Sequence, residues 1–151
     1  MSTITVPAAP VTAADIATST KADTRTTPLW RTGAKAGVLA AVATTVLAGV
    51  ALAADVPLEI DGEALPLLAF AQLTLMATAV GVLLAKAVTR WSTRPRRAFV
   101  AVTVALTALS VVPDLSVPAS TASRAVLIAT HLVAAAIVIP ALAGRLAERT
   151  R

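Results

Sequence analysis

Five side chains have types and spacings that could do chemistry: Gln72, Ser110, Asp114, Arg124 and His131. Gln72 is the one strongly polar member of a long apolar run. Ser110 and Asp114 continue a stripe from Thr103 and Thr107, at spacings of four, three and four, which places all four on one helical face. Arg124 and His131 are seven apart and share a face of the next segment. With ~1.5 Å of rise per residue, His131 lies ~10 Å below Arg124, Gln72 ~7 Å inside the end of its segment, and Ser110 ~6 Å below Asp114. Three helices can therefore bring Gln72, Ser110, Asp114 and His131 into one layer, with Arg124 as a lid. Such a cluster suits the polar head of an amphiphile, a quinone or a lipid, with His131 donating or accepting. The same groups also read as interhelical glue, at about 0.6 kcal/mol per hydrogen bond and up to ~2 kcal/mol. On that reading an Asp114–Arg124 pair fastens the outer connection.

Catalysis finds little support. A single histidine with no nucleophile or metal partner makes no constellation, and helical stripes of Ser and Thr are ordinary. The absence of cysteine removes disulfides, Cys-ligated metals, Fe–S clusters and thiol redox chemistry. One His excludes a multi-His metal site or bis-His haem within one chain. The expectation is no enzyme, no cofactor and no metal.

The elements that must position these residues are apolar. Of 151 residues 57% are hydrophobic and 14% charged, and mean hydropathy is +0.82. A soluble domain has about a quarter of its residues charged, so the polar groups here are too few to coat a globule in water. Crossing ~30 Å of hydrocarbon takes about 20 helical residues, and four runs approach that length: 36–54, 67–85, 98–113 and 125–144. The third is the shortest, and a re-entrant or interfacial helix is its alternative. The expected fold is all-α, a bundle of four transmembrane helices. The helical domain covers 28–147, between a disordered tail (1–27) and a short C-terminal tail (148–151).

Charge orients the bundle. Net charge is +5, from 13 bases and 8 acids. No base lies between Ala36 and Ala85, whereas Glu59, Asp61 and Glu63 cluster in "PLEIDGEALP", just after Asp55. Twelve bases fall on one side of the four runs and only Arg124 on the other. By the preference of Lys and Arg for the cytoplasmic side, both termini are expected inside the cell, in the plasma membrane, with the acidic loop outside. Trp30 and Trp91 fall where interfacial indoles are common. Thr27 and Pro28 read as a helix cap and first turn. Residues 1–26 lack the basic start and compact apolar run of a signal peptide, so the first span is expected to act as an uncleaved insertion signal. The basic loop "RWSTRPRR" suits anionic lipid headgroups better than nucleic acid. Asp61–Gly62 signals a tight hairpin in the acidic loop.

Helices in lipid associate through small residues. The first span repeats Gly33, Gly37, Ala41, Thr45, Gly49 and Ala53, and the second carries Thr74, Thr78, Gly81 and Ala85. These ridges read as intramolecular packing or, along Gly37, Ala41, Thr45 and Gly49, as the face of a homo-oligomer.

The stretches "PLW", "LEIDGEALPLLAFAQLTL", "RPRRAFVAVTVALTALSVVPDL" and "ATHLVAAAIVIPALAGRL" resemble an uncharacterised family of small four-helix membrane proteins from high-G+C Gram-positive bacteria. The likeness covers residues from about 28 to 147. It implies a fold and a membrane location and brings no activity. The function expected is a structural, accessory or partner-binding role in the membrane. The alternatives are binding of a small amphiphile, quinone or lipid in the outer leaflet, or a subunit of an oligomeric transporter. Against the transporter, every acid lies at an end or in a loop.

Overall fold

A computed structural model describes residues 28–60, 62–116 and 118–148. The expected tail 1–27 lies outside this range, as does the expected tail 148–151 apart from Glu148, which closes the last helix. The chain is all-α, with helices α1 (Leu29–Ala53), α2 (Leu67–Trp91), α3 (Pro95–Ser116) and α4 (Thr121–Glu148). All four are long and apolar enough to cross a membrane. Strands β1 (Glu59–Ile60) and β2 (Glu63–Ala64) form a small antiparallel hairpin between α1 and α2.

Each helix outruns the apolar stretch that announces it. The third span, expected at 98–113, becomes a 22-residue helix with Pro113 inside it. The physical reason is that Arg and Lys are good helix formers. Lys86 and Arg90 therefore continue α2, Arg96 and Arg97 open α3, and Arg145 extends α4. Proline sets the starts. Pro28 and Pro66 occupy the N-cap positions of α1 and α2 in extended conformation, with no side-chain cap. Their carbonyls accept from Arg31 (2.9 Å) and Ala69 (2.9 Å). Pro28 thus stands one position earlier than the first turn expected for it.

Helix α1 ends in a Schellman motif: Val56 N–H bonds to Ala51 O (3.0 Å) and Asp55 N–H to Leu52 O (3.1 Å). Asp55 takes the left-handed position with φ 58°. In the hairpin, position 62 needs a glycine, since its φ is +81°.

Two buried clusters show that the helices run alternately up and down. One joins Leu29 of α1, Ala85 of α2, Phe99 of α3 and Leu142, Ala143 and Leu146 of α4. It therefore collects the first turns of α1 and α3 with the last turns of α2 and α4. This is the basic end. The other cluster joins Ala48 and Ala51 of α1, Leu58, Phe70 of α2 and Leu127 of α4. This is the hairpin end, sealed by Leu58, which is 2% exposed. Ser123 Oγ–H donates to Pro57 O and ties α4 to the hairpin. Helix α3 contributes nothing to the second cluster.

Helix α1 packs against α2 and α4, and α4 against α3, whereas α2 and α3 approach each other much less. The α1 faces are small. A Cβ on Gly33 would overlap Val82 Cγ2, and one on Gly37 would lie 3.0 Å from Thr78 Cγ2. Gly37 and Ala41 are buried within the chain, Thr45 is half-buried, and a Cβ on Gly49 would meet nothing within 4 Å. The outward faces carry Val38, Leu39, Val42, Val46, Leu68, Leu75, Met76, Val104 and Leu109, all exposed.

Candidate functional site

The weak approach of α2 to α3 leaves a cavity of about 420 Å³, walled by α2, α3 and α4. Its lining is mostly apolar. Phe70 and Leu127 stand at the hairpin end, and Leu84, Phe99 and Ile139 at the basic end. Between Phe70 and Leu84 the α2 wall rises ~21 Å at 1.5 Å per residue. Leu73, Val80 and Leu106 belong to the lining and are 60%, 56% and 48% exposed, so the cavity opens sideways between α2 and α3. Ala77, Ala134 and Ala135 are part of its wall, and larger side chains there would close it.

Six hydroxyls line the cavity: Thr74, Thr78, Thr103, Thr107, Ser110 and Thr130. Most bond to their own helix. Thr103 donates to Phe99 O (2.8 Å), Thr107 to Thr103 O (2.9 Å) and Ser110 to Thr107 O (2.8 Å). Thr78 donates to Thr74 O (2.8 Å) and Thr130 to Leu127 O (2.7 Å). Apolar surroundings explain the pattern, because a hydroxyl without a partner there is costly and the carbonyl three or four residues back is always within reach. Thr74 differs: its hydroxyl meets Thr44 Oγ1 of α1 at 3.1 Å. This is an interhelical bond.

His131 is the one titratable residue of the lining. Its Nδ1 lies 3.0 Å from Leu127 O and 3.1 Å from Asp114 Oδ2. Both neighbours are acceptors, so Nδ1 carries the proton. The N–H bonds to Leu127 O. Asp114 Oδ2 is within ion-pair distance but makes no aligned hydrogen bond, and that oxygen is buried. The contact sets an Asp114 carboxyl oxygen beside the imidazole and joins α3 to α4 in the half of the bundle where α3 has no buried apolar anchor. Nε2 has no hydrogen bond among the described residues, and the ring is 39% exposed.

Of the five residues singled out, the structure brings together Asp114 and His131, with Ser110 in the same cavity wall. Gln72 stands apart: it is exposed on α2 and outside the cavity lining. Its azimuth on α2 is not the one expected. Thr74 and Thr78 are turned inward, with Thr74 bonded to α1, and a residue two positions earlier points about 200° away at 100° per residue.

Arg124 does not pair with Asp114 and is no lid. It lines a separate crevice of about 390 Å³ at the hairpin end, with Pro57, Glu59, Gly62, Ser120 and Ser123. Asp114 stands level with His131, and Arg124 lies ~10 Å further along α4, so α4 projects past the end of α3. Thr74, Thr78 and Thr130 complete the cavity wall. Thr74 and Thr78 read in the sequence as part of a packing ridge, and nothing marked Thr130 apart from its place beside His131.

The basic end gathers Arg31 over the Trp30 ring (5.5 Å to its centroid) and Arg145 Nε donating to Thr32 Oγ1 (3.2 Å). Trp30 and Trp91 are both exposed there. Among the described residues no group of three His, Cys, Asp or Glu could hold a metal ion.

No curated protein and no solved structure matches the chain. A family model does match, over residues 24–148, which takes in all four helices, the hairpin and every wall of the cavity. The chain belongs to that family, the family of unknown function DUF6069.

Proposed function

We propose that this is a multi-pass protein of the plasma membrane that holds a membrane amphiphile in the cavity between α2, α3 and α4. Charge supplies the orientation. Eight of the nine bases among the described residues lie at the end where α1 begins and α4 ends, which supports cytoplasmic termini and an external hairpin. The polar end of the cavity, at Ser110 and His131, then lies in the outer leaflet. At the other end, the exposed bases and tryptophans meet anionic headgroups, at about 1 kcal/mol of attraction per base.

The observation that carries the reading is the sideways opening. A cavity of about 420 Å³ is in the size range of small-molecule sites. Its mouth lies between two helices rather than at an end of the bundle, which is the approach open to a molecule already dissolved in lipid. Interiors are otherwise close-packed. Here three alanines keep a gap open beside the one imidazole.

Native mass spectrometry of protein released from membranes tests this. The wild-type protein is expected to carry an adduct of lipid-like mass, and Ala135→Phe, which fills the cavity, is expected to lose it while remaining folded. A bare wild-type protein, or a variant that keeps the adduct, would leave the Asp114–His131 contact with a purely structural role.

A further inference from the structure

The dimensions of the cavity specify how many hydrocarbon tails it takes and how long they are, an inference that rests on the reading just given. Its lining residues run from Phe70 to Leu84 on α2, from Phe99 to Ser110 on α3 and from Leu127 to Ile139 on α4. At ~1.5 Å per residue these walls are ~21, ~17 and ~18 Å tall. An extended chain advances about 1.2 Å per bond, so a space of this height matches a tail of about 15 to 18 carbons.

Volume supplies an independent count. An apolar cavity of about 150 Å³ accepts one benzene ring, or about 25 Å³ per carbon. On that scale a volume of about 420 Å³ holds about 17 carbons. Height and volume therefore agree for a single tail. Two tails side by side, or fused rings of the same height, need roughly twice the volume.

The two ends of the cavity differ, and the difference orients the tail. At the basic end Phe99 is fully buried against Ala85, Leu142 and Leu146, with Leu84, Val138 and Ile139 packed around it. This end is a floor. Towards the other end the wall carries Ser110 and His131, with Asp114 beside the ring. A polar head is accommodated there and an apolar terminus at the floor. This placement depends on where the polar atoms lie and not on which of them donates.

We infer that the cavity holds one hydrocarbon tail of about 16 carbons, its methyl end against Phe99 and its head end beside His131, and that Leu84 and Val138 set its length. The tail belongs either to a single-tailed amphiphile or to a diacyl lipid whose second tail stays outside the mouth. Side-chain carbons at the floor act as a ruler. Val138→Phe adds four of them and should shorten the preferred tail by about four carbons, whereas Leu84→Ala removes three and should lengthen it by about three.

The test offers the full chain, delipidated in detergent, an equimolar series of lysophosphocholines whose saturated tails differ in steps of two carbons, together with a diacyl phosphocholine and a sterol. Native mass spectrometry counts the adducts. The wild-type protein is expected to carry one lysolipid, most often that with a tail of about 16 carbons, and to carry tails four carbons shorter about tenfold less because they leave a void. The two floor variants should move the optimum in opposite directions, an outcome that loss of folding does not produce. An equally abundant diacyl adduct identifies the tail as that of a bilayer lipid, and its absence identifies a single-tailed amphiphile. A flat length profile, an optimum that neither variant moves, two lysolipids per protein or displacement by the sterol would overturn the single-tail assignment, and the amphiphile reading would stand provided that Ala135→Phe abolishes the adducts. If the wild-type protein binds no member of the mixture, or Ala135→Phe keeps every adduct, the amphiphile reading itself fails and this inference goes with it.

Discussion

The most apolar stretches of α1 and α3 are about equally apolar. They pack in opposite ways: 39% of that stretch is buried in α1 and 6% in α3. Apolarity therefore does not decide which helix sits inside. Side-chain size does, as expected where the solvent is as apolar as the side chains and only close approach distinguishes helix from solvent. Helix α1 turns Gly33, Gly37, Ala40, Ala41, Thr44 and Ala48 onto its neighbours. Helix α3 holds on by Phe99 at the basic end and by Asp114 at the other, with Val102, Val104, Leu106 and Leu109 exposed between. The cavity is the space that this loose attachment leaves.

The sharpest way to break the contrast is to enlarge a glycine in each environment of α1. At Gly33 a Cβ alone would overlap Val82, and Leu142 lies 3.7 Å away, so Gly33→Leu forces α1 off both neighbours. Overpacking typically costs 1–3 kcal/mol, and the loss expected here is about 3 kcal/mol, read as a lower midpoint in denaturation of the micelle-bound protein. Gly49→Leu meets open space and gains about 0.8 kcal/mol of helix propensity, so it should be neutral or slightly stabilising. Equal losses for the two variants would mean that small-residue contact is not what holds α1.

A second pair moves the comparison to large residues. Leu58 is buried against Ala48, Phe70 and Leu127, whereas Leu106 stands 48% exposed at the mouth of the cavity. Leu58→Ala should cost about 2 kcal/mol by leaving a void under the hairpin, the low end of the range for buried leucines. Leu106→Ala should cost less than about 1 kcal/mol, since the side chain has few partners to lose. Thermal unfolding followed by far-UV circular dichroism separates these outcomes.

Much of this architecture is legible in the sequence, and the failures have a common cause. Four apolar runs announce four helices, and Asp61–Gly62 announces the hairpin, because both depend on local chemistry. The alternation of small residues from Gly33 to Ala41 marks the buried face of α1 for the same reason. Helix rotation and stagger are different in kind. Gln72 is turned outward because Thr74 is drawn to Thr44 of another helix. Asp114 finds His131 rather than Arg124 because α4 overshoots α3. Neither fact exists until two helices are in contact. The cavity is harder still to read, since it arises where α2 and α3 fail to meet.

The smallest expected effect tests the contrast through hydroxyls alone. Thr44 and Thr107 both donate to a carbonyl of their own helix. Thr44 also accepts from Thr74 across the α1–α2 interface and is 1% exposed, whereas Thr107 belongs to the half-open cavity wall. Replacing each by the near-isosteric valine removes the hydroxyl with little change of volume. Thr44→Val strands the Thr74 proton and should cost about 0.6 kcal/mol, up to ~1.7 kcal/mol, the span measured for interhelical hydrogen bonds in membranes. Thr107→Val gives up only a bond that its own helix carbonyl does not need, so its midpoint should stay within about 0.3 kcal/mol of wild type. If Thr107→Val costs as much as Thr44→Val, the hydroxyls of the cavity wall are structural ties, and the distinction between a packed α1 face and an open α3 face no longer holds for polar groups.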